Sequence, residues 1–130
     1  MPTTVNTAGR NAILNAIAAL YNGGTLTIRS GTPPGPNATA TGTVLATVTL
    51  PNPAFAAASG TAARTGTWSD ASADATGTAG HFRVVATGGA VFEGTITATS
   101  GGGDMELSTI SMIAATPFTI TAFTLSLTNA

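Results

Sequence analysis

From Thr25 onward the chain is built of short runs in which apolar and polar residues alternate, each cut off by glycine or proline. "TLTIRS" sets Leu26 and Ile28 on one side and Thr25, Thr27 and Arg29 on the other, and "TVLATVTL" repeats the pattern with Val44, Ala46, Val48 and Leu50 until Pro51 and Pro53 stop it. A period of two is that of a strand with one buried face, and proline removes a ladder donor. "AFAAAS" and "RTGTWS" are weaker strands, because alanine and glycine fill a pleated surface poorly. "GTAGHFRVVAT" and "AVFEGTITATS" form a hairpin about Gly88-Gly89, and "GGGD" turns the chain into "MELSTISMI". In "PFTITAFTLSLT" the apolar parity changes, from Phe118, Ile120 and Ala122 to Phe123, Leu125 and Leu127. One face holds both sets only if a β-bulge inserts a residue near Ala122; otherwise the strand crosses between sheets there. About eight short strands at this spacing predict a mainly β chain, a jelly-roll-like β-sandwich.

The first 23 residues follow a different period. Ile13, Leu14, Ile17, Leu20 and Tyr21 recur at helical spacing among strong helix formers, Asn6 or Thr7 supplies a cap, and Gly23-Gly24 ends the run. The expected organisation is one domain over residues 1–130, with an N-terminal arm and helix over 1–23 and the sandwich over 24–130. The narrow apolar stripe places one helix face on the sheet or on a neighbouring subunit. Asn15 interrupts the apolar run and Asn22 stands where a leader's small cleavage residues belong, so this start reads as a helix and not as a secretion signal. No apolar run is long enough for a membrane-spanning helix.

Charge is scarce. Asp, Glu, Lys and Arg make up 7% of the 130 residues, against about 25% in an ordinary soluble domain. There is no lysine, and the four arginines are scattered, so the basic patch that nucleic acid requires is missing. The absence of cysteine excludes disulfides, thiolate chemistry and cysteine-held metals. A hydrophobic fraction of 43% with frequent alternation argues for a folded core, and a formal net charge of -1 favours self-association.

The rare polar groups crowd into "SDASADATGTAGHFRVV", which holds Asp70, Asp74, the only histidine, His81, and Arg83. A single histidine without a placed nucleophile does not make a triad, and the spacing of Asp70, Asp74 and His81 fits no metal-ligand pattern. No catalytic, metal or cofactor residues are expected. Asp70 and Asp74 suit turns, their carboxylates taking backbone N–H groups two residues on. Arg83 is expected to pair with Asp70, Asp74 or Glu93 and so to order a loop or an interface. The segment "GTPPGPNATATG", Gly31–Gly42, is an extended, exposed loop of the sort on which binding functions sit. Candidate interface residues are Ile13, Leu14, Ile17, Tyr21, Pro33, Pro34, Pro36 and Trp68.

The strings "GRNAILNAIAALYNGGTLTIRSGTPP", "LATVTLPNPAFAAAS" and "SADATGTAGHFRVV", with "ADATGTA" followed two residues later by "FR", resemble small proteins encoded among the structural genes of tailed bacteriophages. The resemblance implies a virion component made in the host cytoplasm, a capsid decoration or cement protein or another minor virion protein. Its implied partners are copies of itself, as a homotrimer, and the major capsid protein or another virion protein. A tail-tip or fibre module that recognises a receptor carbohydrate is the alternative.

Overall fold

In the computed structural model, which describes residues 4–66, 68–70 and 72–126, one helix precedes ten strands. Helix α1 spans Thr7–Tyr21. The strands are β1 Thr25–Arg29, β2 Val44–Thr49, β3 Phe55–Ala58, β4 Thr61–Arg64, β5 Gly77–Thr78, β6 His81–Val85, β7 Val91–Ala98, β8 Met105–Leu107, β9 Ser111–Met112 and β10 Ile120–Ser126. Eight of them form one sheet in the order β2-β1-β6-β7-β8-β10-β4-β3, and β5 pairs with β9. The chain is thus mainly β with one N-terminal helix, as its periodicity predicts. The start of "MELSTISMI" is β8 and its later part β9, whereas in "RTGTWS" the strand stops at Arg64.

Local chemistry explains most boundaries. Asn6 caps α1 by accepting the Gly9 amide at 2.9 Å, and Gly23 takes the left-handed conformation just past the helix. Asn22 then accepts the Ala54 amide at 2.8 Å, tying the helix end to the proline turn after β2. The N-terminal half of α1 holds the β3–β4 hairpin, where Asn11 accepts the Gly60 amide at 2.9 Å.

The parity change in the last strand is a bulge. Ile120 lies opposite Leu107 but Ala122 opposite Glu106, so Thr121 is the inserted residue. Phe118, Ile120 and Phe123 are consequently all buried, while Ala122 is exposed. The strand also changes partner, pairing with β8 up to Phe123 and with β4 from Thr124. Leu127 lies outside the described residues. A second bulge interrupts β2, where Ile28 faces Ala46 and Arg29 faces Val44. It gives Leu45 a place in the interior beneath Gly77 and frees its carbonyl to accept the Asp74 and Ala75 amides.

The sheet curls until its two halves face each other. Phe82 on β6 and Phe123 on β10 are three strand steps apart, about 14 Å in a flat sheet, yet their ring centroids are 5.2 Å apart. Phe123 also meets Phe55 at 6.1 Å, Trp68 at 5.9 Å and Phe92 at 6.0 Å. Tyr21, at the end of the helix, meets Phe92 edge-on at 4.7 Å. Gly94 makes room for this arrangement, since a Cβ there would stand 2.7 Å from the Phe82 ring.

One connection departs from the hairpin pattern. β8 runs parallel to β7, with Ile96 opposite Met105, although only Thr99–Asp104 join them. A parallel return usually needs a dozen residues or more. Here the chain doubles back tightly over Thr97, and Cβ atoms at Gly101 and Gly103 would fall 2.7 and 2.9 Å from that side chain. "GGGD" is thus a turn, as expected, and it returns the chain parallel to β7.

Replacing Phe123 with alanine removes the ring shared by both halves of the sheet and is expected to cost about 3–5 kcal/mol of stability. Urea denaturation followed by the fluorescence of Trp68 measures this loss.

Candidate functional site

His81, Arg83 and Glu93 lie on the convex face of the sheet, opposite the aromatic core. Alternation along β6 sends Phe82 and Val84 inward and His81 and Arg83 outward, and pairing with β7 sets Arg83 directly across from Glu93. Both outward groups on β6 are nevertheless buried, because the segment from Gly31 to Gly42 folds down over them.

Arg83 Nη1 donates to Glu93 Oε2 at 2.8 Å, and the two side chains are only 10% and 3% exposed. The remaining capacity of the pair is directed at the loop. Arg83 Nη2 donates to the Ala38 and Pro36 carbonyls at 2.9 and 3.4 Å, and Glu93 Oε1 accepts the Gly35 amide at 2.8 Å. At the loop's root, Ser30 and Thr43 exchange two hydrogen bonds, amide to carbonyl at 3.1 Å and amide to hydroxyl at 3.0 Å. Arg29 donates to the Thr41 carbonyl at 3.4 Å, and His81 Nδ1 bonds the Gly31 carbonyl at 3.1 Å. Nδ1 is therefore the donor in this bond, since a carbonyl only accepts. The other nitrogen, Nε2, is buried without a hydrogen-bond partner among the described residues.

The loop is largely exposed, as expected, but it is pinned down as a strap. Pro33 and Pro34 are half-buried, and Pro36 with Asn37, Ala38 and Thr39 forms the exposed crest. Prolines lack the amide donors that would otherwise need partners and hold φ near one value, so the crest's conformational freedom is small. Such a surface is presented already ordered.

The other expected site residues are dispersed. Of the three acids considered for Arg83, Glu93 is its partner. Asp70 makes the turn expected of it, accepting the Ser72 amide at 2.9 Å. Asp74 instead accepts the Thr47 hydroxyl on β2 at 2.9 Å. The five polar residues thus serve three separate places and not one cluster. Among the described residues no three His, Cys, Asp or Glu side chains come together as a metal-holding group, and no helix is long and apolar enough to cross a membrane.

The interface candidates divide in a similar way. Leu14, Tyr21 and Trp68 belong to the core of the single chain, because the curled sheet needs their volume to fill its concave side. Ile17 packs partly against that core. Ile13 is 43% exposed, and Leu20, which was not among the candidates, is 55% exposed. Their exposure follows from the helix lying with its Leu14–Ala18–Tyr21 edge on the sheet, a choice that the apolar spacing alone does not resolve.

Sequence reasoning missed Arg64. This residue lines a cleft of about 410 Å3 with Gly66, Thr121 and Thr124. Its guanidinium has no ion-pair or hydrogen-bond partner among the described residues, and burial lowers its pKa from the ordinary arginine value.

Replacing Glu93 with alanine leaves the Arg83 guanidinium buried without a counter-charge and is expected to cost about 3–5 kcal/mol. The double replacement Arg83→Met with Glu93→Leu is expected to recover most of that stability while still releasing the strap. Amide exchange at Gly35, faster in both variants, separates ordering of the loop from stability measured by denaturation.

Comparison with known proteins finds no match among protein-family models, curated proteins or solved structures.

Proposed function

We propose that this protein is a structural component of a tailed-bacteriophage particle, a decoration or cement protein that reinforces the capsid through contacts with its own copies, as a homotrimer, and with the shell. The observation that carries the reading is the proline strap held by a buried ion pair. A chain with five acids and four arginines devotes one of each to fixing the shape of a surface loop. A rigid loop avoids the ordering cost that a mobile one meets on binding. Many such weak contacts add through multivalency in a shell. The resemblance of the sequence to small phage structural proteins supports the same reading, as do the exposed Ile13 and Leu20 on the outer side of α1.

A second reading, receptor recognition at a tail tip or fibre, is favoured by Arg64. An unpaired guanidinium beside threonine hydroxyls suits a carboxylate-bearing sugar.

Quantitative mass spectrometry of purified particles, with antibody labelling in the electron microscope, tests the proposal. Decoration predicts labelling over the head, copy numbers comparable with the shell protein, and heads that leak DNA at lower temperature when the gene is deleted. A few copies at the tail tip, with binding to host cells that Arg64→Gln abolishes, would replace it with the second reading.

A further inference from the structure

The tight return into β8 leaves the large sheet incomplete. β8 pairs only with Ile96–Ala98 of β7 and, on its other side, with β10 up to Phe123. Residues 91–95 of β7 and 124–126 of β10 therefore flank a place in the sheet where no strand of the described residues lies. Backbone directions at this place follow from the ladder. Ala86 donates to Ala90 at 2.8 Å and Ile96 to Gly80 at 3.0 Å, so even-numbered residues of β7 face β6. Val91 and Glu93 consequently turn their N–H and C=O groups into the gap. Across it, Thr65 donates to Ala54 at 2.9 Å, which turns Ala62 toward β10 and its opposite, Leu125, toward β4. Thr124 is left facing the gap.

The gap is a cleft of about 270 Å3 lined by Phe82, Phe92, Glu93, Asp104, Thr124 and Leu125, together with Phe123. Its floor is the parallel-stacked pair Phe92 and Phe123. Asp104 stands at one end, where Oδ2 accepts the Thr95 amide at 3.0 Å and hydroxyl at 3.2 Å. Its Oδ1 has no hydrogen-bond partner among the described residues.

We infer that this slot is a peptide-binding site, which takes an extended segment of another protein as an inserted strand, with apolar side chains over Phe92 and Phe123 and a basic side chain against Asp104. Backbone groups of Val91 and Glu93 on one side and of Thr124 on the other point to a position that no ladder of the described residues fills, which is what an inserted strand satisfies. Asp104 is exposed, and its negative charge at this end of the slot favours a basic side chain over an acidic one. Two of this chain's own arginines, Arg29 and Arg83, are held within their own fold, and insertion of a second copy is the outcome that a dependence on protein concentration detects. The inference rests on the sheet alone and stands whether or not the protein decorates a capsid.

The probes are two acetylated heptapeptide amides that alternate valine with threonine, one ending in arginine and the other in glutamate. Amide exchange followed by NMR is expected to slow at least about ten-fold at Val91, Glu93 and Thr124 with the arginine peptide. The glutamate peptide is expected to bind about five-fold more weakly. Asp104→Asn is expected to erase that preference. Unchanged exchange with both peptides, equal affinity of the two for the wild-type protein, or slowing that follows protein concentration without peptide would each overturn the inference, the last by showing that copies pair with each other. The wild-type comparison decides the matter even if Asp104→Asn proves unstable.

Discussion

The meeting of Phe82 with Phe123 is the contact on which the rest of the structure depends. Eight strands in one sheet have two faces to cover and only one helix to cover them. Curling brings strands that are distant in the ladder into apposition, so that one half of the sheet becomes the lid of the other. Aromatic rings span the distance between the halves, and the chain has few of them, seven Phe, Tyr and Trp residues in all. Six of these belong to one connected set of ring contacts, from Tyr21 through Phe92, Phe82 and Phe123 to Phe55 and Trp68. The many alanines and glycines elsewhere let backbones approach closely around this set, as at Gly94.

The pattern of charge follows from the same geometry. Once the concave side is filled with apolar groups, the convex side of β6 and β7 needs a cover that helices do not supply. The strap provides it, and its carbonyls and the Gly35 amide need partners in turn. Arg83 and Glu93 satisfy them from below, so the pair acts less as a source of stability than as a device that selects one loop conformation. His81 completes the row at the Gly31 end, with its second ring nitrogen enclosed.

Much of this was legible in the sequence wherever the controlling physics is local. Alternation located β1, β2, β6 and β7, helical spacing located α1, and the parity change in the last strand pointed to a bulge near Ala122 or a crossing between sheets, of which the bulge is present, at Thr121. Arg83 had Glu93 among its candidate partners because the two face each other in a simple hairpin. What was not legible depends on contacts between distant strands. The curl set the fate of Leu14, Tyr21 and Trp68, moving them from surface candidates to interior residues. The reversal over Thr97 and the bulge at Leu45 arise from close approaches that have no periodic signature. Asp70 and Asp74 looked like neighbours of His81 because they are close in sequence, but Asp74 is held at β2 and Asp70 in its own turn, apart from the strap.

The bulge at Leu45 also bears on how the protein avoids fibrous aggregation. β2 ends the sheet, and a bare strand in that position would template further strands without limit. Its Leu45 carbonyl is already taken by the amides of Asp74 and Ala75, and the Asp74 carboxylate is held beside Thr47. A foreign strand approaching this margin would have to dislodge two hydrogen bonds and strip water from a negative charge. Growth of the ladder is blocked at this margin by a carboxylate, in a chain that has few charges to place.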